Sequence, residues 1–107
     1  MSAARDRTDE LETARGSVED AEVVDVPERD RYELRLGGHL IGHAGYRRRG
    51  GRIAFTHTEV DDAWSGRGFG SRLAELALAD VRRQGLEIVP LCPFVSAYVK
   101  RHPEAVA

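Results

Sequence analysis

Gly66-Arg67-Gly68-Phe69-Gly70-Ser71 stands between two segments of different period. Before it, Ile53 to Val60 reads as a strand. After it, Ser71 to Gln84 carries Leu73, Leu76, Ala77 and Val81 at helical spacing. A glycine-rich loop that leaves a strand and opens a helix presents backbone N–H groups to an anion. The unpaired N–H groups and positive dipole end of the first helical turn then favour phosphate. Any residue larger than glycine would hinder that approach, and some of these positions call for positive φ. This placement predicts a loop that holds a phosphorylated ligand.

Working outwards towards the N-terminus, Gly50-Gly51 and Gly37-Gly38 are two hairpin signals. They separate three strand-like runs: Arg31 to Leu36, His39 to Arg48, and Arg52 to Val60. In the first of these, Tyr32, Leu34 and Leu36 alternate with Arg31, Glu33 and Arg35, the period of a half-buried strand. Gly42 and Gly45 mark bulges or close packing in the second. Val23, Val24 and Val26, ended by Pro27, predict a strand before a turn at Glu28-Arg29-Asp30. Towards the C-terminus, Gly85 caps the long helix, and Leu86 to Leu91 forms a short strand parallel to its predecessor. Phe94 to His102 is a last short helix ended by Pro103. Residues 1–20 are charged and poor in large apolar side chains, so they are expected to form a disordered tail ahead of a single domain over 21–107. The order β-β-β-β-α-β-α gives an α+β fold: a mixed, mostly antiparallel sheet, a long helix after the fourth strand and a short C-terminal helix.

Composition narrows the function. The chain has 107 residues, 41% of them hydrophobic and 32% charged, as in ordinary globular domains. A net charge of -2 supplies no basic field for nucleic acid. No apolar run approaches the roughly 20 residues of a membrane span, and the N-terminal residues lack the apolar centre of a secretory signal. Cys92 is the single cysteine, so an internal disulfide and a cysteine-based zinc site are both excluded, and a cytoplasmic, reducing location is expected.

The element order and three motifs together resemble the GNAT superfamily of N-acetyltransferases, most closely its small single-domain YjdJ-type members. The motifs are Phe55-Thr56-His57-Thr58-Glu59-Val60, then Gly66 to Ser71, then Val89-Pro90-Leu91-Cys92-Pro93-Phe94-Val95 with Tyr98 and His102-Pro103. The resemblance spans about Ala21 to Ala105. It implies an acetyl-CoA site. Gly66, Arg67, Gly68, Phe69, Gly70 and Ser71 would hold the pyrophosphate through backbone amides. The backbone of Glu59 and Val60 would hold the pantetheine arm. The thioester would lie where the fourth and fifth strands part, close to Cys92. Two departures stand out. Ser65 occupies a position where the superfamily often has Gln or Arg, with Arg67 as the available cation. The helical segment that usually follows the first strand and shapes the acceptor pocket is missing, so the acceptor side is open, completed by a second subunit in a homodimer, or absent.

Amine acetylation needs a proton acceptor for the amine, stabilisation of a developing oxyanion and a proton for the leaving thiolate. His57 is the candidate base, or a structural strand histidine. Glu59 acts through a water, or is a solvated strand-end carboxylate. Cys92 accepts the acetyl group itself, or lines the pocket as a small hydrophobe. Tyr98 protonates the thiolate, as a tyrosine on the last helix often does in this superfamily, or packs against the core. Lys100, Arg101 and the Arg47-Arg48-Arg49 hairpin read as solvated surface, and Trp64 as packing over the loop. Two functions follow from the resemblance: an acetyl-CoA-dependent N-acetyltransferase acting on an amine of a small molecule or protein, and a module that binds acetyl-CoA or CoA without efficient transfer. Neither uses a metal, nucleic acid or a membrane.

Overall fold

The computed structural model describes residues 16–106. Five strands, β1 (Glu22–Val26), β2 (Arg31–Leu36), β3 (His39–Arg49), β4 (Arg52–Val60) and β5 (Glu87–Pro90), lie side by side in chain order. The first four are antiparallel and β5 is parallel to β4. Helix α1 (Phe69–Arg83) crosses from β4 to β5, and α2 (Pro93–Arg101) follows β5. This is the α+β arrangement expected from the periodicities.

Local chemistry sets each element. Gly37 and Gly38 both take positive φ (58° and 82°), which a two-residue hairpin turn of matching twist requires. Helix α1 ends in a Schellman motif: Gly85 (φ 73°) donates to Arg82 O, and the Leu86 N–H reaches Val81 O. Phe69, Leu73, Ala74, Ala77, Leu78 and Val81 form one buried stripe along α1. The stripe packs on the sheet face built by Tyr32, Leu34, Leu36, Ile41, Tyr46, Ile53 and Phe55. Tyr32, Tyr46 and Phe55 form an aromatic ladder across β2, β3 and β4, with neighbouring centroids 5.5 and 6.3 Å apart. The Tyr32 hydroxyl donates to Asp80 on α1 at 2.7 Å, tying helix to sheet. Burial, with the Asp80 carboxylate beside it, raises the Tyr32 pKa, so this phenol stays a donor.

Order begins ahead of Ala21. Of the segment 1–20 expected as a disordered tail, residues 1–15 lie outside the described residues. Val18–Asp20, however, forms a 3-10 turn. Ser17 and Asp20 close a capping box on it, and Val18 packs against the core. One cap and one apolar anchor are enough to extend the domain by a turn.

The sheet face away from α1 holds a second departure. Glu33, expected to face solvent, is only 3% exposed. Three guanidinium groups enclose it: Arg29 at 3.3 Å, Arg31 at 2.8 Å and Arg35 at 2.6 Å. Hydrogen bonds from Arg35 and Arg31 hold its pKa at about 2, down from the ordinary 4.5. Because the folded pKa is the lower one, the unfolded chain takes the proton first. The stabilisation is therefore complete above about pH 4.5 and vanishes as pH falls towards 2. Replacing Glu33 with Gln is expected to cost about 1–3 kcal/mol at pH 7 and to flatten the acid limb of the stability curve. Urea unfolding at pH 7 and pH 3 checks both effects. Equal losses at the two pH values would contradict the ion-pair assignment.

Candidate functional site

The site grows from the place where β4 and β5 separate. Their parallel pairing runs from Arg52–Glu87 to Phe55–Pro90 and stops. Glu87 donates to Gly51 O, so by strand alternation the Pro90 nitrogen lies on the outer edge of β5, where the ladder needs no donor. The Leu91 N–H turns back to Val89 O, and the Cys92 N–H makes a last bond to Phe55 O at 2.8 Å. Pro93 then starts α2, where a missing N–H costs nothing. At the same level β4 bulges against β3: Gly45 faces His57 and Tyr46 faces Phe55, with Thr56 extra between them. Beyond Phe55, β4 has no strand partner on its β5 side.

The glycine loop closes one wall of this gap. After a 3-10 turn at Asp62–Trp64, Gly66 takes φ 73° and Gly68 takes φ 89°, the left-handed conformations expected there. A Cβ at Gly66 would meet no atom within 4 Å, so only hydrogen stands between that backbone and open space. Gly70 serves packing instead: a Cβ there would come 2.8 Å from the Phe94 ring of α2. Gly68 caps α1 with no side chain to occupy the free N–H groups of Phe69, Gly70 and Ser71. Trp64 stacks edge-on to Phe69, and the Arg67 guanidinium lies 5.2 Å from the Trp64 ring centroid. Next along α1, the Nε of Arg72 is buried without a hydrogen-bond partner. Thr58, Val60, Trp64, Ser65, Gly66, Gly68, Gly70, Ser71 and Phe94 together line a cavity of about 360 Å³. Exposed backbone amides, two glycines with positive φ and an uncapped helix start fit a pyrophosphate group.

The candidate reactive groups separate into two sets. Cys92 is buried, 3% exposed, and its thiol lies 3.4 Å from the Thr58 hydroxyl on the wall of that cavity. Tyr98 is buried in the core, stacks on His102 at 4.4 Å, and lines none of the cavities described here. Burial raises its pKa, with the Glu75 and Glu104 carboxylates adding to the effect. It points this way because α2 turns its Val95 and Tyr98 side towards the core.

His57 and Glu59 lie on the opposite face of β4, with a histidine from β3 that the motifs did not single out. His43 Nε2 is 3.3 Å from His57 Nε2 and 3.3 Å from Glu59 Oε1. The register pairs His43 with Glu59 and Gly45 with His57. The His57 ring lies over Gly45, where a Cβ would approach Nε2 to 3.0 Å. His57 Nδ1 is 3.3 Å from the Thr56 hydroxyl. His43, Thr58, Glu59, Val60, Asp61 and Asp62 line a second cavity of about 550 Å³. Thr58 and Val60 belong to both cavities, so β4 is the wall between them. The Gly50-Gly51 hairpin alone would pair His43 with Thr58, and the bulge at Thr56 moves it to Glu59, a shift that no motif signals.

A larger cavity of about 750 Å³ is walled by Arg47, Arg48, Arg49 and Arg52 at the far end of β4. Among the described residues, no group of three or more His, Cys, Asp or Glu side chains is placed to hold a metal ion, and no helix is long and apolar enough to cross a membrane.

Comparison with known proteins gives one consistent family. A sequence profile of the GCN5-related N-acetyl-transferase type matches residues 31–107. Protein NATD1 of Mus musculus is 37% identical over 78 residues, covering 71% of each chain. Protein NATD1 of Homo sapiens is 38% identical over 77 residues, covering 70% of this chain and 68% of its own.

The enclosure of the Cys92 thiol is directly measurable. Labelling by a bulky aromatic disulfide is expected to be at least about tenfold slower in the native protein than in the urea-unfolded chain. Equal rates would show that the thiol is open to solvent.

Proposed function

Because the chain belongs to the GCN5-related N-acetyltransferase family, we propose that it transfers an acetyl group from acetyl-CoA to an amine of a small molecule or protein. When bound, acetyl-CoA supplies the activated acetyl thioester. The observation that carries this reading is the single cavity in which the unpaired edge of β4 meets the glycine loop. The N–H groups of Gly66 to Ser71 hold the pyrophosphate, supported by the dipole of α1. The backbone of Glu59 and Val60 holds the pantetheine arm along the β4 edge. Cys92 and Thr58 border the place where the thioester comes to rest. On the other face of β4, Glu59 lines the second cavity and His57 contacts His43 at its rim, and the acceptor of the amine's proton belongs to this cluster. Tyr98, whose ring packs on His102, is the candidate donor of the proton that the leaving thiolate takes.

A second reading has its own support. Between β1 and β2 stands only the 3-10 turn Pro27–Arg29, so no helix there shapes an acceptor pocket among the described residues. A module that binds acetyl-CoA without efficient transfer would look the same. The two are separated by free CoA release in the presence of amines. The enzyme is expected to accelerate release with a suitable amine, and the module to bind with no acceleration. Gly68→Val, which forces a β-branched residue to φ 89°, is expected to lower kcat/KM for acetyl-CoA at least about tenfold. The strain is worth about 1–2 kcal/mol of stability. The milder Gly66→Ala keeps the test meaningful if that variant unfolds. Unchanged kcat/KM in both folded variants would sink the pyrophosphate assignment.

A further inference from the structure

We propose that His43 is a catalytic residue: it is the base that meets the acceptor amine, with His57 as its proton-sharing partner and Glu59 as its counter-charge. The inference rests on the acetyltransferase reading and names a residue for it that the β4 motif does not contain. Three observations carry it.

His43 lines the second cavity together with Glu59 and Val60, whereas His57 does not. An amine in that cavity stands against the β4 segment whose other side borders the glycine loop. His43 Nε2 is also equidistant, at 3.3 Å, from His57 Nε2 and Glu59 Oε1. Two neutral imidazoles meeting through the same kind of nitrogen hold at most one hydrogen between them. One ring therefore keeps a lone pair facing the other. A further proton creates a cation shared by the pair beside a carboxylate. Finally, His57 is fixed in place by the lack of a side chain at Gly45 and by Thr56 at its other nitrogen. The geometry of the pair is therefore built into the β3–β4 bulge.

The proton balance fits. An ammonium acceptor and a thioester become an amide, a thiol and one free proton. The C–N bond forms as the C–S bond breaks, one proton ends on the thiol sulfur, and the other is taken by the His43–His57 pair. Exposed His57 returns it to water. The charged groups facing His43 act in both directions. Burial lowers its pKa, with Arg31 on β2 and His57 on β4 in the same direction. Glu59 on β4 and Glu33 on β2 oppose them. The net effect keeps His43 neutral, and so able to accept, down to a lower pH than an ordinary histidine.

The first measurement is an NMR titration of the His43 and His57 ring protons in the ligand-free protein. Coupled groups share their inflexions. The expected result is that both residues show the same two steps in the native chain, and that His43→Gln leaves His57 with one. Independent single inflexions in the native chain would overturn the pair. The second is the pH profile of kcat/KM. His43→Gln is expected to lower kcat/KM by about a hundredfold and remove its acid limb, with acetyl-CoA affinity by calorimetry unchanged. His57→Gln is expected to cost less. Glu59→Gln, at a 71% exposed side chain, removes the counter-charge without threatening the fold and is expected to move the acid limb to lower pH. A native enzyme that turns over while His43→Gln matches it overturns the role of His43 alone. A native protein that neither binds acetyl-CoA nor releases CoA overturns the acetyltransferase reading and this assignment with it.

Discussion

The Leu91 N–H turns back to Val89 O instead of reaching β4, and this one diverted donor decides where the sheet opens. The ladder between β4 and β5 ends opposite Phe55, a single bond from the Cys92 N–H to Phe55 O closes the corner, and Pro93 sends the chain into α2. The edge of β4 from Thr56 to Val60 is then left without a strand beside it. An open edge in a sheet is normally a hazard, because its N–H and C=O groups invite another strand. Here the glycine loop, the start of α1 and Phe94 wall it off as a cavity of about 360 Å³. The hydrophobic stripe of α1 holds that wall in place, since Phe69 and Leu73 are buried in the core immediately after the loop.

The same level of β4 organises the opposite face. The bulge at Thr56 re-aims the strand, so that Thr58 and Val60 border the loop side while His57 and Glu59 face the other. A bulge is thus the device that places two kinds of chemistry back to back across one strand. Gly45 and Gly42 make room for it: side chains at these positions would run into the His57 ring and the Glu59 carbonyl.

Elements governed by local chemistry were legible in the sequence. The paired glycines at 37–38 and 50–51 fixed the hairpins, and the stripe from Phe69 to Val81 fixed α1 and its face. The need for left-handed glycines in the loop was also legible, and Gly66 and Gly68 are the positions that take it. What escaped depends on distance across the sheet. His43 is fourteen residues from His57 and meets it only through a bulged register that no local pattern announces. Glu33 alternates like a solvent-facing residue, and only the three arginines around it turn that position into a buried ion cluster. The packing of the Tyr98 ring on His102 and in the core depends on the rotation of α2, which its residue type does not announce. Val18 looked like part of a charged tail because its anchoring partner, the start of α1, lies some fifty residues further on.

The most direct test of the central claim is a map of backbone amide shifts during titration with acetyl-CoA. The two ends of β4 offer competing anion sites: the glycine loop at one, and Arg47, Arg48, Arg49 and Arg52 at the other. The expected result is saturable perturbation centred on Glu59, Val60 and Gly66 to Ser71, with the arginine hairpin unchanged. Perturbation confined to the hairpin, or none at millimolar ligand, would contradict the assignment of the gap and the glycine loop as one acetyl-CoA site.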